Sequence, residues 1–294
     1  CFVGIGGGSS MDCAKASAML SEKGGNIEQY FTAPPSFYTI SIPIILVPTT
    51  AGTGSECTNV AVITSGGSKP SVFVNTGMAI VDPELTYTVP RGVTTNTGLD
   101  AYAHAAEALT AKNCNPRSDI IAKAAIEKIT KYLPIAVEDG QNAEARHELA
   151  LAANLAGIAF ADTDCHLGHT LADGISFGFG SPHGYNAITV EPECMALCAE
   201  IEPEKVKIVG EATGAKFDGT ETPAQIGEKT AAAMRALMKA AGYKGPKEYN
   251  MDREKFIDTA AHSMQVDLGL RLNCPFEPTE EICRGILERS YDNN

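Results

Sequence analysis

The chain changes character near Pro90–Gly92. Before that point short β-branched runs alternate with glycine turns and one helical pattern; after it alanine becomes frequent and the β-branched runs fade. Phe2–Ile5 is an apolar run entering glycines, followed by helical spacing of Met11, Ala14, Ala18 and Leu20. Ile42–Val47 is a second β-rich run ended by Pro48, and Val60–Ile63 and Met78–Val81 read as further short strands, the last closed by Asp82-Pro83. Strands alternating with a helix predict a parallel α/β sheet. Beyond the switch, Asn115-Pro116 and Thr222-Pro223 read as helix starts, because proline lacks the amide hydrogen that would go unpaired there. Asp252 and Thr279 suit the same capping role, and Gly242 suits a helix end. The expected organisation is an α/β domain over 1–91 and an all-α domain over 92–294.

The opening CFVGIGGGSS reads as a buried strand, which needs neighbours on both sides, so the α/β domain is expected to be a truncated one. With 294 residues, 44% of them hydrophobic, the chain can build a substantial core. A net charge of −13 argues against a nucleic-acid partner, whose phosphates attract basic patches. No apolar run approaches the ~20 residues of a membrane helix, so no membrane partner is expected. Nine cysteines, an odd number without a short paired framework, fit reduced thiols and a cytoplasmic location.

Two loops and one histidine cluster carry the chemistry. Gly6-Gly7-Gly8-Ser9 joins a strand to a helix, where glycines let the backbone approach a pyrophosphate and the helix start offers unpaired amides. It matches neither G-x-G-x-x-G nor the Walker lysine spacing, and strand–glycine–helix turns also arise for packing alone. The second loop, Pro48 to Glu56, follows the second β-run and is dense in small hydroxyl residues, as expected where ligands meet strand ends. Two such loops favour a nucleotide. Asp100 and His104 stand four apart on an alanine-rich helix and so share a face; by themselves they fit a satisfied helix pair equally well. His169 and His183 bring three of the chain's six histidines into the set. One carboxylate and three imidazoles suit Fe(II), with Zn(II) or Mn(II) as alternatives, better than Ca or Mg.

In order, GGGSSMDCAK, PTTAGTGSE, MAIVDPEL, TGLDAYAHAAEA, LAGIAFADTDCHLGHTLADG and SPHG resemble the iron-dependent (group III) alcohol dehydrogenase family. The resemblance implies a dehydroquinate synthase-like architecture: a dinucleotide-binding α/β domain, an all-α domain, and a Lewis-acid metal between them. It puts the metal ligands at Asp100, His104, His169 and His183, the pyrophosphate loop at Gly7, Gly8 and Ser9, and the nicotinamide side at Thr49, Thr50, Thr53 and Lys69. It implies hydride transfer between a small alcohol or aldehyde and NAD or NADP, in a homo-oligomer such as a dimer. Asp173 stands where the family usually has a second histidine, and is assigned to proton transfer. The C-terminal Asn273-Cys274-Pro275-Phe276 replaces an Asn-Pro-Arg pattern, and the region that selects NAD over NADP lies upstream of this sequence. Alternatives are a glycerol dehydrogenase-like polyol dehydrogenase, dehydroquinate synthase, and a non-catalytic or structural homologue. Outside the set, His166 is expected beside the metal or in solvent, His262 partly buried, His147 solvated, and Cys194 and Cys198 buried as small hydrophobes.

Overall fold

A computed structural model describes residues 1–32, 36–65, 70–265 and 268–294. Its α/β part comprises β1 (Phe2–Gly6), α1 (Gly8–Lys23), β2 (Phe37–Tyr38), β3 (Ile44–Pro48), β4 (Val60–Val62), β5 (Ser71–Val74) and β6 (Met78–Ala79). β1, β3 and β6 form a parallel sheet in that order, in register from Phe2 opposite Ile44 to Gly6 opposite Pro48. One face of this sheet, with Ile44 and Leu46, packs on Met11, Ala14, Ala18 and Met19 of α1. Gly4 is what lets the helix lie so close, since a Cβ there would stand 2.8 Å from that of Ala14.

The expectation of parallel strands throughout is corrected in the second sheet. Its order is β2-β5-β4; β2 runs parallel to β5, but β4 runs antiparallel to it. The connection 63–70 is shorter than the crossover of a dozen or more residues that parallel neighbours need.

After Pro90 every strand-free segment of the described residues is organised around helices: α2 (Arg91–Thr110), α3 (Pro116–Glu138), α4 (Ala143–Thr163), α5 (Leu167–Phe179), α6 (His183–Cys198), α7 (Pro203–Ala212), α8 (Pro223–Ala240), α9 (Arg253–Ser263), α10 (Leu268–Leu272) and α11 (Glu280–Asn293). Asn115 caps α3 and Thr222 caps α8, each in a reciprocal box with the residue three positions on, and Asp252 and Thr279 cap α9 and α11. Gly242, at φ 70°, ends α8: its N–H donates to the Lys239 carbonyl and that of Tyr243 to Met238, the left-handed helix stop that glycine tolerates best.

Two apolar clusters hold the helices. Leu99, Tyr102 and Leu109 of α2 meet Ile126, Ile129 and Leu133 of α3 and Leu149 of α4, with alanines filling the close approaches. Leu167, Leu171 and Ile175 of α5 meet Phe256 of α9 and Ile286 and Leu287 of α11. Among the described residues no helix is long and apolar enough to cross a membrane.

Candidate metal centre

Helices α2, α5 and the first turn of α6 converge on one buried point. Asp100 and His104 lie one turn apart on α2 and are both buried; His169 is buried on α5, and His183 opens α6. Gly184 permits the convergence, because a Cβ there would fall 2.2 Å from the Asn96 carbonyl oxygen and 2.8 Å from the Asp100 Cβ. Asp100 Oδ1 stands 3.9 Å from His169 Nε2 and 3.9 Å from His183 Nε2. Two donors each about 2.1 Å from one ion can span such a distance at a wide angle. Asp100 Oδ1 and His169 Nε2 are buried and have no hydrogen bond, which a cation between them would relieve.

His104 is placed differently. Asp100, His169 and His183 form one group with donor atoms within 4.8 Å of one another; His104 instead groups with His169 and Cys165 at the same spacing. Its ring stacks on His169 at 4.4 Å and on Phe160 at 4.4 Å. Burial pushes the His104 imidazole down to about 3, Asp100 offsetting only part of that, so it is a neutral ring with a lone pair to give; its Nδ1 is buried without a hydrogen bond. Asp173, one turn beyond His169 on α5, lies with Oδ1 3.6 Å from His183 Nδ1, the nitrogen away from Asp100.

Sequence reasoning passed over Glu107. It follows Asp100 and His104 at the i, i+4, i+7 spacing of one helix face, and that spacing among alanines was the available signal. Its carboxylate is fully buried, accepts N–H bonds from His166, Gly168 and His169, and lies 2.6 Å from His169 Nδ1. Burial works against its ionised form, but His166, His169 and these donors hold it well below the usual carboxylate range. On His169, burial opposes the proton, and Cys165 and Glu107 outweigh it, holding the imidazole well above its usual range. Burial pushes the Cys165 thiol up to about 12, so near neutral pH Glu107 is the charged partner of the two. Glu191 of α6 is buried nearby; burial first, and the Glu107 charge second, push its carboxyl well up, leaving it a neutral acid.

The other histidines also have places. His166 is buried at the start of α5, its Nε2 2.8 Å from Thr110 Oγ1, rather than in solvent. His262 stacks on Phe177 at 3.9 Å, and His147 is exposed. Cys194 and Cys198 are buried.

The two small-residue loops lie side by side at the carboxyl ends of β1 and β3. Gly7 and Gly8 open α1, Ser9 is exposed on its first turn, and Thr49 N–H donates to the Gly6 carbonyl at 2.9 Å. A Cβ on Gly7 would lie 3.5 Å from Thr50 Oγ1, and one on Gly8 2.9 Å from Thr53 Cγ2. The threonine loop is pinned from below by Lys15, which donates to Ser55 Oγ at 2.8 Å and the Val60 carbonyl at 2.6 Å. Above, Gly52 lies against Thr97 of α2, one turn before Asp100, and Gly54 against Gly157 of α4. The loops therefore reach the helix that carries the acidic and imidazole donors. Lys69 lies outside the described residues.

Two family descriptions match the chain: "Fe-containing alcohol dehydrogenase family, C-terminal" over residues 94–291 and "Iron-containing alcohol dehydrogenase" over residues 1–83. It is 36% identical over 242 residues to an NAD-dependent methanol dehydrogenase of Bacillus methanolicus, an alignment covering 81% of this chain and 61% of the relative. Against Long-chain-alcohol dehydrogenase 1 of Geobacillus thermodenitrificans the identity is 39% over 66% of this chain and 50% of the relative, so the chain spans roughly half to three-fifths of these relatives. Among solved structures, sulfoacetaldehyde reductase from Bifidobacterium kashiwanohense in complex with NAD+ superposes with a TM-score of 0.86 at 30% identity, covering 99% of this chain and 76% of that one.

Proposed function

The chain belongs to the iron-containing alcohol dehydrogenase family, and from that premise we propose that it carries the metal centre and part of the nucleotide site of an NAD-dependent alcohol dehydrogenase acting on a small alcohol or aldehyde. Asp100, His169 and His183 hold a divalent ion, Fe(II) before Zn(II) or Mn(II), with His104 as the fourth donor. The bound ion would supply Lewis acidity, lowering the pKa of an alcohol so that hydride can leave its carbon near neutral pH. The protein's own work is placement. Gly7, Gly8 and Ser9 receive the pyrophosphate at the start of α1, and Thr49, Thr50 and Thr53 line the nicotinamide side. Asp173, with Oδ1 3.6 Å from His183 Nδ1, lies beside that ligand as the proton-transfer group. In this reading residues 1–91 serve the nucleotide and 92–294 the metal, and the active form is a homodimer.

The observation that carries the reading is the pair of buried atoms without hydrogen bonds, Asp100 Oδ1 and His169 Nε2, that face each other beside His183. The test is to load the whole protein anaerobically with Fe(II), Zn(II) or Mn(II) and measure bound metal and NAD-linked oxidation of short alcohols. One ion per chain, lost together with turnover in Asp100→Asn, is expected. Full metal content in an Asp100→Asn, His169→Gln double variant would refute it.

A further inference from the structure

Glu107 does something the sequence pattern did not suggest. Helix α5 begins at Leu167 without a side chain of its own N-cap residue, His166, bonded to its free amides. The carboxylate that serves them comes instead from the neighbouring helix α2. Glu107 Oε1 accepts from the Gly168 and His169 amides, and Oε2 accepts from the His166 amide at 3.1 Å. Those three backbone donors fix the plane of the carboxylate, and His166 Nδ1 stands 3.5 Å from Oε1. Oε2 then stands 2.6 Å from His169 Nδ1, while the opposite nitrogen, Nε2, faces Asp100 Oδ1. Gly168 makes the arrangement possible. A Cβ there would lie 2.5 Å from Glu107 Oε1 and 2.2 Å from Glu191 Oε2.

An imidazole that gives one nitrogen to a metal must keep its remaining proton on the other, and a fixed acceptor decides which nitrogen that is. We propose that Glu107 is the positioning residue of this centre: its Oε2 keeps a proton on His169 Nδ1 and thereby reserves Nε2 for the ion. The assignment rests on the metal-centre reading above. It makes the start of α5 and the direction of one metal donor a single device, since the same carboxylate caps the helix and sets the ring.

Glutamine tests this at nearly constant shape. Its carbonyl oxygen can replace Oε1 and keep the Gly168 and His169 amides bonded, which puts the amide nitrogen at the place of Oε2 and leaves the His166 amide without its acceptor. That nitrogen donates, so it favours the tautomer with the proton on Nε2, where the ion belongs. Co(II) affinity, measured on the whole protein by chelator competition, is expected to fall about 10–100-fold in Glu107→Gln. In a His169→Gln background the same change should have no further effect on affinity, although any loss of helix capping would persist in the melting temperature. A measurement on the unsubstituted protein guards against a variant that does not fold. In the Zn(II)-loaded form, long-range proton–nitrogen correlation should find His169 protonated at Nδ1 and shifted by metal at Nε2. Equal Co(II) affinity in Glu107→Gln and wild type, or His169 protonated at Nε2 in the Zn(II) form, overturns the role of Glu107 and leaves the metal centre standing. Failure of the wild-type protein to bind Co(II) or Zn(II) at all overturns both.

Discussion

The α/β part and the helical part of this molecule treat apolar surface in opposite ways. In the helical part, α2 and α3 bury Leu99, Leu109, Ile126, Ile129 and Leu133 completely. In the α/β part, the sheet of β1, β3 and β6 packs one face on α1, while on the other Val3, Ile5 and Met78 are 54%, 62% and 61% exposed. A parallel sheet is ordinarily covered on both faces. Both parts take costly groups inside, the α/β part Asp12, Lys15 and Glu56, but the helical part gathers more of them: Asp100, Glu107, His166, His169 and Glu191 are all buried there. A buried charge or imidazole lacking full hydrogen bonding costs stability that the surrounding apolar packing has to offset. The difference teaches where rigidity resides. The proposed metal donors sit where packing is complete, whereas the glycine and threonine loops sit on the more open sheet.

The largest effect should come from cutting into the complete core. Ile129→Ala removes a fully buried side chain between α2 and α3, and a loss of about 2–5 kcal/mol in urea unfolding is expected from the lost burial and the cavity. A loss below 1 kcal/mol would mean that the helical part is loosely packed and would break the comparison.

Next comes the seam between the parts. Gly157 of α4 touches Gly54 of the threonine loop, and a Cβ on Gly157 would fall 2.8 Å from the Gly54 Cα and 2.9 Å from its carbonyl oxygen. Gly54 cannot easily move aside, as it already has φ 60° and its neighbours are tied down: Glu56 accepts from Asn154 Nδ2 at 3.1 Å. Gly157→Ala is expected to cost about 1–3 kcal/mol by overpacking. Calorimetry should then resolve a transition of the α/β part below that of the helices. A single unchanged transition would show that the seam yields freely.

These contrasts also explain what could be read in the chain beforehand. The helix starts at Asn115, Thr222, Asp252 and Thr279 were legible because a cap is written within four residues, and the Gly242 stop likewise. The gathering of Asp100, His169 and His183 was legible from residue type and motif order. The antiparallel return of β4 on β5 was not: strand pairing is a relation between distant residues, and β2, of two residues, leaves almost no periodicity to detect. Nor was the separation of His104 from the other donors, which depends on how its ring stacks between Phe160 and His169. Glu107 stood in plain view on the right face of α2, but its partners come from the start of α5 and only packing joins them.

A smaller, pH-dependent effect is expected in the α/β part at Lys15. Burial lowers this ammonium from 10.5 to about 8, with Asp12 opposing the shift. The folded protein therefore releases the proton before the unfolded chain does. Between about pH 8 and 10.5 the unfolded state binds more protons, so the contribution of Lys15 to stability rises with pH across that window and is lost again as pH falls through 8. Cys57, pushed by burial to about 12, acts in the opposite direction above pH 9, so only a difference measurement isolates the lysine. The stability of wild type relative to Lys15→Met, which has nothing to titrate at that position, should increase from pH 8 to pH 10. A flat difference would place Lys15 in water rather than beneath the threonine loop.

The smallest effect is expected on the open face of the sheet. Ile5 is central in β1, paired with Val47 of β3, yet its side chain is 62% exposed, so most of its apolar surface already meets water in the folded state. Replacing it by threonine keeps a β-branched residue, and with it the preference for extended backbone. Little burial is lost, and the backbone ladder from Phe2 to Gly6 is untouched. The change in unfolding free energy should stay within about 0.5 kcal/mol, as for surface substitutions in general. Leu46→Thr on the facing side, fully buried against α1, is the matched control and should cost several times more. If Ile5→Thr proved as damaging as Leu46→Thr in the isolated chain, that face would be covered in solution, and sedimentation at the same concentrations would identify a second copy as the cover. Equal mild effects at both positions would instead mean that α1 does not pack firmly on the sheet, and the one-sided character of the α/β part would have to be abandoned.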